Sequence, residues 1–222
     1  MAKRNVFDPS RLLQVAFYQQ EQETSCGAAC IRMLLAKDGV FVDEAELRHQ
    51  CMGTIPGTRT QRNCRNYLML KTLKAYGYYA SVICVDDINA TVSRCLQNNL
   101  DALLLCHAST RKTDTSGHFM LVTNEYTENF YVNDPLNKDG QNRRIRKNDL
   151  IEMSTKTSST SEGLPRSNVL IVATKSGDVQ MRKAICPRCG NAATIPEILI
   201  EGVSEYVCEH CDDWRRVNNA NT

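Results

Sequence analysis

Eleven cysteines and four histidines hold most of the reactive chemistry available to this chain. Cys186-Pro187-Arg188-Cys189-Gly190 and Cys208-Glu209-His210-Cys211 are two C-x2-C knuckles whose separation fits a zinc ribbon. Two thiolates on one tight turn reach the same metal, and Gly190 supplies the positive φ that such a turn needs. Two knuckles complete a tetrahedral shell of four sulfurs. A closed shell leaves no position for water, so the expectation is one structural zinc ion that folds a segment too small to hold its own core. His210, inside the second knuckle, could replace one cysteine but reads as an exposed passenger.

A second constellation begins at Cys26, which precedes Gly27 and a helical run. A thiol at a helix N-terminus meets the positive end of the dipole and unpaired N–H groups, which favour the thiolate, the nucleophilic form. Its own N–H can also donate to an oxyanion. The base must come from His49, His107, His118 or His210. His49 lies on a polar helix surface and His210 in the ribbon. His118 follows Gly117 and opens an apolar strand, so it leads, with His107 in reserve. Asp134, in Asn133-Asp134-Pro135, ends the following strand, where its carboxylate can accept the second ring N–H and orient the imidazole.

Gln20, Thr24-Ser25-Cys26-Gly27-Ala28-Ala29, Gly117-His118-Phe119 and Asn133-Asp134-Pro135 together resemble the C39-like (bacteriocin-processing type) peptidases of the papain-like superfamily. The resemblance spans about Leu12 to Thr174. It implies that Gln20 donates to the oxyanion, Cys26 attacks a peptide carbonyl, His118 is general base and then acid, and Asp134 orients it. Gln19 and Gln22 flank Gln20 and stay open for the oxyanion role. Exporter-fused members carry an acidic residue where this chain has Ser25, and they continue into a transporter. A free-standing enzyme is therefore implied, with cleavage after a double-glycine leader not expected.

The elements that must position these groups follow from periodicity and punctuation. A largely buried helix runs from Cys26 to about Ala36, and Asp43 with Glu46 has the form of a capping box for a short helix to about Gln50. Met52 to Arg59 reads as a loop, Cys64 to Tyr76 as a helix ended by Gly77, Tyr78 to Val85 as a strand, and Asp86 as the cap of a helix to about Asn98. Strands follow at Ala102 to His107, Phe119 to Thr123, Asn129 to Val132, Arg143 to Lys147 and Val169 to Thr174. A helix after Asn148 and a Ser/Thr-rich loop from Ser154 to Ser167 lie between the last two. Helices first and a mainly antiparallel sheet afterwards argue for an α+β fold, papain-like, with a small C-terminal zinc ribbon. The expected units are a peptidase domain over 1–178 and a ribbon over 182–222.

Composition narrows the function. With 42% hydrophobic and 23% charged residues, the chain is neither disordered nor fibrous. A net charge of +2, and a ribbon whose acidic side chains outnumber its basic ones, argue against capture of nucleic acid. The basic run Arg143, Arg144, Arg146 and Lys147 reads as a solvated face. No apolar run reaches a membrane span and no secretory signal is visible, so a cytoplasmic protein, or one delivered to another cell, is expected. Without a signal, metal and thiol chemistry explain the cysteines better than disulfides do. Cys30, Cys84, Cys95 and Cys106 read as core, while Cys51 and Cys64 flank a loop and read as exposed.

The expected function is a cysteine peptidase acting on a peptide or protein through an acyl-enzyme on Cys26. Acyl transfer or glutamine deamidation by the same three residues, and an inactive interaction protein binding a protein partner through its ribbon, are the alternatives.

Overall fold

Six consecutive buried residues, Val169–Thr174, form a strand with no polar face. Such a strand is stable only where both faces of its sheet are covered, and that requirement organises the chain. The computed structural model describes residues 14–54, 62–107, 117–155, 158–159 and 165–217.

Among the fully described elements, three helices come first: α1 (Cys26–Lys37), α2 (Glu44–Cys51) and, after the short strands β1 (Met52–Thr54) and β2 (Arg62–Cys64), α3 (Asn66–Ala75). Then follow β3 (Tyr79–Val85), α4 (Ile88–Gln97), β4 (Asp101–Cys106), β5 (His118–Tyr126), β6 (Asn129–Asn133), β7 (Arg143–Arg146) and α5 (Lys147–Met153). The two-residue strands β8 (Ser158–Ser159) and β9 (Pro165–Arg166) precede β10 (Val169–Thr174). The last segment holds β11 (Met181–Ile185), β12 (Ala192–Pro196), a 3-10 turn (Glu197–Gly202), β13 (Val203–Cys208) and β14 (Asp213–Arg216).

The main sheet is antiparallel throughout, in the order β14-β13-β3-β10-β4-β5-β6-β7. Its side chains alternate between two cores. Val169, Ile171, Leu103, Leu105, Ala80 and Val82 join the core under α1, α2 and α3. Leu170, Val172, Leu104, Ile83 and Val85 face the core that includes Ile88, Val92 and Leu150 of α4 and α5. The result is the mixed α and β class with an antiparallel sheet that the sequence predicts. β13 pairs with β3, so the C-terminal strands continue the sheet in which β5 and β6 lie.

Several local expectations shift by a residue or an element. Asp43 precedes α2, yet its side chain makes no cap hydrogen bond. The cap of α4 is Asp87 rather than Asp86, its Oδ1 accepting from the Ala90 N–H at 3.0 Å. Cys64 lies in β2, paired with Met52, and not in the helix that follows; Met52–Thr54, expected as loop, is the partner strand. Residues 55–61 of that loop, the N-terminal arm through 13, and 156–157 and 160–164 of the Ser/Thr-rich loop lie outside the described residues. Gly77 takes a positive φ of 83° and its N–H donates to Lys74 O, ending α3 as its position implies.

The turn after β6 is where the fold tightens most around a single residue. A Cβ on Gly140 would lie 1.9 Å from Asp134 O and 2.9 Å from Asn137 O, while Asp134 N donates to Gly140 O at 2.9 Å. Close backbone approach, not unusual dihedral freedom, demands glycine there. Gly140→Ala is expected to destabilise the protein by ~1–3 kcal/mol in urea unfolding, the range for overpacking a filled site.

Candidate active site and metal centre

Cys26 opens α1, whose small residues Ala28 and Ala29 are fully buried and let the helix lie against β5. His118 opens β5, and the β5/β6 hairpin pairs Leu121 with Asn133, so the start of one strand meets the end of the other. That register sets His118 beside Asp134. His118 Nε2 and Asp134 Oδ1 are 2.7 Å apart. Cys26 is near enough to the ring to favour its protonated form. With Nε2 engaged by Asp134, Nδ1 is the ring nitrogen left for another partner. His118 thus interacts with both Asp134 and Cys26, and Cys26 is only 8% exposed.

Asp134 has no solvent exposure, and such a carboxylate survives only if donors replace water. Oδ1 accepts from His118 and from the Leu136 N–H at 3.1 Å; Oδ2 accepts from Asn137 Nδ2 at 2.8 Å and Arg143 Nη1 at 2.5 Å. Burial acts to raise the carboxyl's pKa, but His118, Arg143 and the Leu136 N–H outweigh it and hold the pKa at about 2. Burial likewise disfavours the imidazolium, and Asp134 with Cys26 overcomes it, lifting His118 to about 9. Both shifts stabilise the same charged pair.

Arg143 is thus no part of a solvated face. Of its basic neighbours, Arg146 pairs with Asp149, Lys147 pairs with Glu125 at 2.7 Å, and Arg144 is exposed. Asn137 and Arg143 escaped the sequence reading. Asn137, three residues after Asp134, sits in an Asp-Pro turn that carries some signal, whereas Arg143 arrives only through the pairing of β7 with β6.

Gln20 approaches the same place through its backbone, its N–H donating to Pro135 O at 2.9 Å. Its side-chain Nε2 donates to Gln22 O at 2.9 Å and Glu23 O at 3.0 Å. Gln19 and Gln22 are exposed. His107 is not at the site: its Nε2 lies 2.9 Å from Thr155 O, and its N–H donates to Met153 O. His49 and His210 are exposed.

Cys51 and Cys64 are buried, against the expectation of exposure. Burial pushes the Cys51 thiol up to about 11, partly offset by its hydrogen bond with Thr72. Cys64 lies against α1, and a Cβ on Gly27 would approach its Cβ to 2.8 Å. Its thiol reaches Thr24 O at 3.7 Å. Burial drives its pKa well upward, as does the neighbouring Cys26.

At the other end of the chain, the sulfurs of Cys186, Cys189, Cys208 and Cys211 all lie within 4.8 Å of one another. Cys186 and Cys211 are 3.8 Å apart, and Cys189 and Cys208 3.7 Å. Metal–sulfur bonds of ~2.3 Å at tetrahedral angles place sulfurs about 3.8 Å apart, so the set fits one ion. The knuckles match: Gly190 N donates to Cys186 O and Asp212 N to Cys208 O, both at 2.9 Å, with φ of 73° and 49°. Asp212 thus fills, as an Asp can, the place that Gly190 fills in the first.

The profile of the peptidase C39 family matches residues 14–157. The chain belongs to that family. At family level it is a cysteine peptidase, a hydrolase. Among solved structures, a protein described as a C39-like peptidase from Bacillus anthracis is 13% identical, with 78% of this chain and 99% of that one covered, at a TM-score of 0.55. The peptidase domain of Streptococcus ComA is 16% identical, covering 72% and 98%, at 0.48. A double-glycine-motif protease from an AMS/PCAT transporter, in complex with the leader peptide, is 15% identical, covering 72% and 90%, at 0.48. A search of curated proteins finds no match. The family match ends before the four-cysteine centre. Among the described residues no helix is long and apolar enough to cross a membrane.

Linkage gives the pH dependence of this C39 site. The stability that His118 contributes is fully present below its ordinary pKa near 6.5 and is lost as pH rises through about 9. That from Asp134 is present above its ordinary 3.8 and is lost as pH falls through about 2. In NMR titration His118 is expected to change charge near pH 9, and Asp134→Asn to lower that midpoint. An unchanged midpoint in the variant would remove Asp134 as the cause.

Proposed function

We propose that this C39 chain cleaves a peptide or protein through an acyl-enzyme on Cys26. The observation that supports the reading is that a buried, fully bonded Asp134 carboxylate holds the His118 ring, with Cys26 near enough to that ring to favour its protonated form. The thiolate sulfur adds to the scissile carbonyl carbon, and the charge moves to the carbonyl oxygen. The Cys26 N–H, at the helix start where no intrahelical acceptor exists, is one donor to that oxyanion. In this reading Gln20 is the second, and it would exchange one of its two turn hydrogen bonds for the substrate oxygen. As the C–N bond breaks, the His118 imidazolium protonates the leaving amine. Water then attacks the thioester, His118 takes its proton, and the acid leaves with Cys26 restored as thiolate.

The proposed metal is zinc, one ion on Cys186, Cys189, Cys208 and Cys211. Four thiolates around one Zn²⁺ close its coordination, so bound zinc would supply folding energy rather than a reactive water. The second unit, 182–222, then acts as a metal-held ribbon set against the peptidase unit, 1–178. Its acidic groups suit that docking: Glu205 pairs with Arg166, Glu209 with Lys74 and Asp212 with Arg65. A leader peptide is the ligand of one structural neighbour, and a peptide chain is the substrate class proposed here.

Cys26→Ala is expected to abolish labelling by a thiol-directed peptide electrophile with the unfolding midpoint unchanged. Persistent labelling would sink Cys26 as the nucleophile. Mass spectrometry of candidate substrates reads the reaction: a severed chain means hydrolysis, while a gain of about one mass unit or a new isopeptide would replace it with deamidation or transfer. Metal analysis should find one zinc per chain, lost in Cys189→Ser together with thermal stability. Full zinc content in that variant would refute the four-sulfur site.

A further inference from the structure

We propose that Glu44 is a positioning residue that sets the spacing between Gln20 and Cys26, an inference that rests on the acyl-enzyme reading above. Glu44 is the first residue of α2 and has no solvent exposure. Its Oε1 accepts two hydrogen bonds, from the Glu21 N–H at 2.8 Å and from Ser25 Oγ at 2.5 Å. Glu21 follows Gln20 and Ser25 precedes Cys26. A single carboxylate oxygen therefore ties together the two residues that flank the proposed oxyanion donor and the nucleophile.

The turn between them is closed by its own backbone and side chains. Ser25 N donates to Gln22 O at 3.2 Å, and Gln22 N donates to Ser25 Oγ at 3.1 Å. Gln20 Nε2 donates to Gln22 O and Glu23 O. At its outer end the Gln20 N–H is fixed on Pro135 O, beside Asp134. These bonds shape the turn but attach it to no helix other than the one it leads into. Glu44 supplies that attachment, because α2 packs on α1.

The other oxygen of Glu44, Oε2, is buried and has no hydrogen-bond partner among the described residues. A buried carboxylate with one oxygen unpaired lowers stability. Packing alone does not call for such a group at the start of α2, and its one fully used oxygen is aimed at the turn. Oxyanion donors act only when held close to the position where charge develops. A clamp on a surface turn that carries such a donor meets that need.

The test compares two reactions of the full chain. Iodoacetamide alkylates the Cys26 sulfur by displacing iodide, a step in which no oxyanion forms, and the modified Cys26 peptide is read by mass spectrometry. A peptidyl p-nitrophenyl ester acylates the same sulfur through an oxyanion. In Glu44→Ala, kcat for the ester is expected to fall at least about tenfold, with KM and the alkylation rate held within about twofold. Glu44→Gln keeps the Oε1 acceptor and should stay within about threefold of wild type. In a Gln20→Ala background, Glu44→Ala should cost less than about threefold, since the donor it positions is already gone.

Equal losses of alkylation and ester turnover, no loss of either, or full additivity with Gln20→Ala would each overturn the inference alone. Unfolding midpoints of each variant, measured under assay conditions, exclude a loss of folded protein as the cause. A wild-type chain that is alkylated at Cys26 but turns over no ester would overturn the acyl-enzyme reading, and this inference with it, before any Glu44 variant is compared.

Discussion

The buried carboxylate of Asp134 is the constraint around which the half of the molecule that carries Cys26 and His118 is arranged. A charge with no water around it has to be met by donors on all sides, and four are supplied: a ring nitrogen from β5, a backbone N–H and an amide from its own turn, and a guanidinium from β7. They come from three parts of the β5–β6–β7 meander, so the charge can be satisfied only when the meander is in register. Gly140 belongs to the same constraint, because any side chain there would occupy the space of the Asp134 carbonyl. Folding the sheet and orienting His118 are in this sense one event.

Cys26 is held by packing rather than by charge. Helix α1 is buried along Cys26 to Ile31 and rests on β5, and Met69 of α3 with Cys64 of β2 lies against Gly27. Around Cys26 the crowding leaves space for small residues only, which is why Gly27, Ala28 and Ala29 follow it. The turn that leads into the helix is the softest part of this arrangement, since it is tied mostly to itself, and Glu44 is its link to a second helix.

The C-terminal segment solves a different problem. β3 would be an edge strand of the peptidase sheet, with its backbone groups open to pairing. β13 covers it, and Ser81 Oγ to Thr194 O and Ser204 Oγ to Cys84 O add side-chain ties. Arg65 and Lys74, at opposite ends of α3, reach Asp212 and Glu209 around the second knuckle. A small segment that lacks a core of its own thus shares the core of its neighbour, and Tyr206, Ile195 and Leu199 are buried there.

Short-range chemistry was readable from the chain itself. The two knuckles, the Gly77 stop, the strand at Val169–Thr174, the helix behind Cys26, and the pairing of His118 with Asp134 through a hairpin all depend on residue type and spacing within a few turns or one connection. Asp43 and Asp86, sensible caps by pattern, lost to geometry that a pattern does not carry. Arg143, Glu44 and the burial of Cys51 and Cys64 were decided by the tertiary structure alone, whereas Asn137 meets Asp134 within one turn. Arg143 meets Asp134 only because β7 pairs with β6, and Glu44 meets Ser25 only because α2 folds back on α1. The physical reason is the same in each case: turns, caps and knuckles are bonded to near neighbours in sequence, whereas a buried charge takes its partners from whatever the packed elements bring within about 3 Å.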